Sequence, residues 1–305
     1  MEVTRRLDRQ FNVLKNNTSA TITLSEFFTP YQGIKMHQQF HTKEVLSNLV
    51  YDLLVESASF GVLYAEFRFN LLRWLDAGLD IAAIISAISK GVELAHKKTG
   101  IHGNGILLIR RDFNPKLVEK IIYEMCGIPH KSVVGLDLAG DEKKYPFCSD
   151  FRETFLYAKE QGLNITIHAG EFGGPENIWY ALEEFGAQRI GHGISAIKDP
   201  VLLQHLASKE IMLEISLTSN KWSGLIGNLE THPAKSFLEF GIPVSINTDN
   251  PIFLQTNPDR EFAIAHQICG LSHEVLQKIS LDSIKYSFAT QELKEELQTE
   301  LKIIE

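Results

Sequence analysis

Seven short β-rich runs, each separated from the next by intervening chain that includes helix-like stretches, limit what this chain can fold into. They are VLYAEFRF (62–69), GILLIRR (105–111), SVVGLDLA (132–139), NITIHAG (164–170), QRIGHG (188–193), IMLEISL (211–217) and PVSINTD (243–249). Between them lie segments with helical spacing, among them 42–61, 115–125 and 176–186. Thr42 is placed to cap the first of these and Gly61 to end it. Strands that alternate with helices are parallel strands joined by crossover connections. Two architectures satisfy this pattern: an open doubly wound sheet, or a (β/α)8 barrel with one strand unaccounted for. No repeat, linker or shift of composition divides the chain, so residues 1–305 read as one domain.

Composition removes other possibilities. The formal charge is −8 and no basic run occurs, which argues against nucleic acid or an anionic membrane as a partner. The start, MEVTRRLDRQFNVLKNN, carries charges where a leader peptide needs an apolar stretch. The longest apolar run, IAAIISAI (81–88), falls far short of a membrane span. Cys126, Cys148 and Cys269 are odd in number and form no CxxC, so they read as buried reduced thiols. A cytoplasmic protein is the expectation.

The polar residues choose between the two architectures. NITIH ends at His168, QRIGH at His192 and PVSINTD at Asp249, while SVVGLDLAG runs into Gly140, Asp141 and Glu142. In a barrel the C-terminal strand ends converge on one face, whereas in an open sheet they spread along an edge. A shared site therefore favours the barrel. Within HAGE, Glu171 follows His168 after the small pair Ala169-Gly170, and the turn brings a carboxylate back toward the same cavity. Imidazole and carboxylate together suit zinc and a proton carrier. The glycines flanking His192 in RIGHG give its ring room.

These motifs carry a resemblance. YAEFRF (64–69), GLDLAGDE (135–142), HAGE (168–171), RIGHG (189–193), LTSN (217–220), HP (232–233) and INTDNP (246–251) stand in the order found in the adenosine deaminase family of zinc-dependent purine deaminases, which the chain resembles over roughly residues 24–290. The resemblance implies a (β/α)8 barrel and a purine nucleoside as substrate. It implies zinc bound by His168 and Asp249, with Glu171 protonating purine N1. His192 would stand beside the attacking water as proton acceptor or electrostatic stabiliser. The backbone of Gly140 would meet N3, and Asn250 would bond N7. Zinc lowers the pKa of bound water from 15.7 toward ~7. A carboxyl group can protonate N1 only if it carries a proton, so Glu171 needs a raised pKa in a dry pocket.

Two departures stand out. The family usually has Asp where this chain has Asn250, and an amide donates without needing an extra proton. More seriously, the family's first strand carries a His-x-His pair, and this chain has none. Its first histidines, His37 and His41, have helical spacing and read as solvated residues at a helix edge. ATITL (20–24) could form a short strand but offers no ligand, and residues 1–23 are atypical. The expectation is a barrel lacking its first strand and the helix after it. That leaves a truncated N-terminus, a descendant without zinc or catalysis, or a ligand recruited from elsewhere. An adenine, N6-substituted or monophosphate substrate remains an alternative to adenosine and 2′-deoxyadenosine.

Overall fold

The computed structural model describes residues 41–304. The expectations placed on ATITL, residues 1–23 and His37 lie outside that range.

Seven parallel strands form one sheet in chain order: β1 (Tyr64–Phe69), β2 (His102–Arg110), β3 (Val133–Ala139), β4 (Asn164–Ala169), β5 (Arg189–His192), β6 (Met212–Ile215) and β7 (Val244–Ile246). The predicted runs all became strands, and the last two shortened most. IMLEISL ends as a strand at Ile215 because Leu217 already belongs to a helix. The strand order excludes the doubly wound alternative, in which chain order reverses at a switch point. Among the described residues β1 and β7 are the two ends of this seven-stranded sheet.

The helices used below are α1 (Lys43–Ser59), α2 (Ile81–Thr99), α3 (Pro115–Cys126), α4 (Arg152–Glu160), α5 (Pro175–Glu183), α6 (Pro200–Ser208), α7 (Leu217–Trp222) and α8 (Ala234–Glu239). The Thr42 hydroxyl accepts from the Val45 N–H at 3.3 Å, which satisfies one of the donors left open at the start of α1. Asp80, Asn114 and Asp199 cap α2, α3 and α6 in the same way. Proline opens α3, α5 and α6, where its missing N–H costs no hydrogen bond. The outward strand faces supply the core under the helices: Leu136, Leu138, Ile165, Ile190, Leu213 and Ile215 are fully buried.

The inward face is charged. Glu66 and Arg68 share one face of β1, two residues apart. The Arg68 guanidinium pairs with Asp137 of β3 at 2.6 Å and with Glu214 of β6. Arg189 of β5 pairs with Glu66 at 2.5 Å and Glu214 at 2.8 Å. In a flat sheet β1 and β6 would lie about 24 Å apart at ~4.8 Å per strand. Only a strongly curled sheet lets their side chains meet, so these ion pairs themselves report the curl. The Phe288 N–H donates to Glu66 at 2.5 Å, and the Phe288 ring lies 3.5 Å from the Arg189 guanidinium, which ties the C-terminal region to β1.

Two smaller expectations are corrected. His41 is not solvated: it is buried, with its ring edge-on to Trp74 at 4.9 Å, because the short helix Leu72–Asp76 covers it. Of the three free thiols only Cys269 is buried; Cys126 and Cys148 are half-buried. No helix among the described residues is long and apolar enough to cross a membrane.

Arg189 is 4% exposed and its carboxylate partners about as little, so Arg189→Met leaves buried carboxylates short of a cation. The expected loss in urea unfolding at pH 7 is about 3–5 kcal/mol. Burial alone would raise the Glu214 pKa, but Arg68 and Arg189 outweigh it and hold it low. A depressed carboxylate stabilises above its unfolded pKa of ~4.3 and loses that contribution as pH falls through the folded value. The gap between wild type and variant should therefore narrow below about pH 4. A gap unchanged by pH would show that the ion pairs do not carry it.

Candidate active site

The expected residues gather at the C-terminal ends of the strands. His168 is the penultimate residue of β4 and His192 the last of β5; they sit on adjacent strands with ring centroids 5.1 Å apart. Glu171 lies just past β4, with a carboxylate oxygen 3.7 Å from His192 Nε2. Asp249 and Asn250 follow β7. Gly140 follows β3 at φ +115°, a conformation that side-chain-bearing residues rarely adopt.

Local backbone strain marks the site. His192 (φ +59°) and Asp249 (φ +54°) both occupy the left-handed region, which is uncommon outside glycine. Such conformations persist where the surroundings over-determine them. Gly191 lets the two strands pack closely beside them: a Cβ there would lie 3.0 Å from His168 Nδ1 and 3.1 Å from Cγ.

Each side chain is held. His168 Nδ1 lies 3.0 Å from an Asp137 oxygen, whose carboxylate also binds Arg68. Burial alone would lower the His168 pKa, but the Asp137 charge outweighs it and raises the pKa to about 9. The Arg111 guanidinium donates to the His168 carbonyl at 2.7 Å and to the Tyr145 and Pro146 carbonyls. Ser219 donates to Asp249 at 2.7 Å, and the Asn250 amide donates to its other oxygen at 2.6 Å.

Glu142 organises the HAGE turn. Its carboxylate accepts from the backbone N–H groups of Gly170, Glu171 and Phe172 at 2.8 Å each, from Gly173 at 3.2 Å, and from the Asn177 amide at 3.0 Å. Glu171 itself is buried, and burial, reinforced by the nearby Asp249 and Glu142, pushes its pKa well up. Burial, with His168 next in effect, lowers the His192 pKa to about 4, so this imidazole is neutral at pH 7.

The adenosine deaminase family profile matches residues 5–303, a wider span than the motifs alone. The chain belongs to the adenosine deaminase family. It is 35% identical over 302 residues to an adenosine deaminase from Clostridium botulinum (strain Okra / Type B1), covering 98% of this chain and 88% of that relative. Its fold is similar to an adenine deaminase from Arthrobacter aurescens, with a TM-score of 0.84 at 23% identity, covering 92% of this chain and 85% of that one. It is also similar to an amidohydrolase from Burkholderia ambifaria solved with bound zinc, with a TM-score of 0.81 at 22% identity over 87% and 75% of the two chains.

Within this adenosine deaminase fold the metal expectation is only partly met. His168 turns Nδ1 to a carboxylate, which is how a metal-binding imidazole is commonly backed and leaves Nε2 as the nitrogen that could ligate. A catalytic zinc takes three or more protein ligands. Among the described residues no three His, Cys, Asp or Glu side chains gather as a metal site. His168 and Asp249 alone do not complete one.

Several residues that hold the site together are not assigned a role by the motifs. Asp137 was visible only as a charge inside an apolar strand, and Glu142 as a rim carboxylate without a role. Asn220 and His232 sat in the quoted LTSN and HP motifs, but their partners are distant in sequence.

A glutamine keeps the shape of Glu142 but has one acceptor oxygen in place of two and adds a donor. Glu142→Gln should therefore speed hydrogen exchange at the amides of residues 170–173 selectively, with a stability loss of roughly 2 kcal/mol. Unchanged exchange there would mean that the turn does not depend on this carboxylate.

Proposed function

We propose that this site hydrolytically deaminates a purine nucleoside, adenosine or 2′-deoxyadenosine, giving inosine or 2′-deoxyinosine and ammonia. The observation that carries the reading is Glu171: a buried carboxyl with a strongly raised pKa, on a rigid turn, 3.7 Å from a neutral histidine. A carboxyl group kept protonated at neutral pH can donate to purine N1. That withdraws electron density from C6 and opens it to attack by water. The C6 carbon becomes tetrahedral, the C6–N6 bond breaks, and the 6-amino group departs as ammonia.

The other residues bind and orient. The Asn250 amide has two hydrogens; one goes to Asp249, and the second is free for N7. Gly140 leaves its backbone open for N3. Asp249, fixed by Ser219 and Asn250, faces the attacking water. A zinc ion would draw on His168 and Asp249, with further ligands from beyond the described residues, and would supply an activated water. Arg68 and Arg111 are already engaged by Asp137, Glu214 and backbone carbonyls. That supports an uncharged nucleoside over a monophosphate. The named activities of the relative and the fold neighbour make adenosine and adenine the first substrates to compare.

A second reading has its own observation. The lack of a three-ligand set among the described residues favours a catalytically silent purine-binding protein. Calorimetric binding of adenosine without turnover would support it.

The test is a spectrophotometric assay of adenosine, 2′-deoxyadenosine, adenine and N6-methyl-AMP, with added zinc. Turnover of the nucleosides is expected, with kcat at least about 10²-fold lower in Glu171→Gln. Because the active Glu171 is protonated, kcat should fall as pH rises through its raised pKa, and this limb should vanish in the variant. No turnover of any substrate, or an unimpaired variant, would defeat the deaminase reading.

A further inference from the structure

Behind His192 runs a buried chain of three hydrogen bonds with a fixed direction. The Ala234 N–H, at the start of α8, donates to His232 Nδ1 at 3.1 Å. His232 Nε2 lies 3.1 Å from Asn220 Oδ1, and Asn220 Nδ2 lies 2.9 Å from His192 Nδ1. All three side chains are 4% exposed or less.

The direction follows from the first link. A backbone N–H can only donate, so His232 Nδ1 must hold a lone pair, and its proton must sit on Nε2. That proton needs an acceptor, which fixes the Asn220 oxygen toward His232 and its NH₂ toward His192. An NH₂ also only donates, so His192 Nδ1 must hold a lone pair in turn. A proton on either Nδ1 would set donor against donor between buried groups. The geometry excludes both the other tautomer and the cation.

We propose that Asn220 and His232 are positioning residues that lock His192 with its proton on Nε2, so that this ring meets the reacting centre as a hydrogen-bond donor. The lock follows from these hydrogen bonds alone; only its catalytic consequence rests on the deaminase reading. With Nδ1 committed to Asn220 and Nε2 protonated, His192 has no lone pair facing the site. Its N–H is placed to hold an oxygen near Glu171, from which Nε2 is 3.7 Å away. Of the two roles open to this residue, the relay selects stabiliser over proton acceptor.

The experiment is a long-range ¹H–¹⁵N correlation spectrum of the full 305-residue chain, with ¹⁵N-labelled histidine, at neutral pH and without substrate or metal. His192 and His232 are assigned from His192→Gln and His232→Gln. Both rings should show a protonated Nε2 and a lone-pair Nδ1. Asn220→Asp replaces the donor facing His192 with an acceptor, so the His192 proton should move to Nδ1 or the ring should become cationic. In that variant kcat should fall by about 10²–10⁴-fold with KM within about threefold. His232→Gln keeps a donor for Asn220 and should preserve the His192 tautomer; His232→Leu should give a mixture. A proton on His192 Nδ1 in the wild type would overturn the proposal, as would unchanged His192 signals in both Asn220→Asp and His232→Leu. Failure of the deaminase assay alone would leave these spectra unaffected, so the two readings fail separately.

Discussion

The fold and its rim depend on charge balance inside the curled sheet. Arg68 and Arg189 face Glu66, Asp137 and Glu214, so two cations meet three carboxylates. The remaining negative charge falls beside His168, through Asp137. A proton on His168 evens the count, which is the physical reason its pKa stands at about 9 despite burial. A cation bound at Nε2 would serve the same balance, and would have to displace that proton first. An apolar barrel interior would leave His168 a weakly basic buried ring, with nothing to orient it.

From this interior outward, the rim is held by groups that cannot relax independently. Asp137 orients His168 and Arg111 fixes its carbonyl, while Glu142 gathers the turn that carries Glu171. The left-handed conformations of His192 and Asp249 are retained against this frame, not by glycine freedom. The same crowding explains the opposite fates of two neighbouring carboxyls. Glu171 has no cation within hydrogen-bonding reach and is pushed up, whereas Glu214 sits between two guanidinium groups and is held down.

Much of this was legible in the sequence, and the reasons are local. Strand–helix alternation and chemically capable residues at strand ends are short-range patterns, so they gave the parallel sheet and the residues of its rim. The Thr42 cap was readable for the same reason, whereas the ring that crowds Gly191 is that of His168 on the neighbouring strand and not that of His192. What stayed hidden depends on distant partners. Glu214 inside IMLEISL looks like an interruption until Arg68 meets it. His41 looked solvated because nothing nearby in sequence announces Trp74 as its cover. Asn220 reads as a helix residue until His192 and His232 close on its two ends.

The spacing of the interior ion pairs along the chain bears on how the protein is made. Arg68 meets Glu214 across 146 residues, Arg189 meets Glu66 across 123, and Glu66 meets the Phe288 amide across 222. Contacts this distant form slowly, because a long loop must close before they contribute. While the ribosome is still adding β6, Arg68 lacks Glu214 and Glu66 lacks the Phe288 amide, so the charge on the first strand is only partly paired. The charge network at the centre of the sheet is thus complete only once β6 and the Phe288 region have emerged. The order of synthesis then makes this interior charge network one of the last features to consolidate.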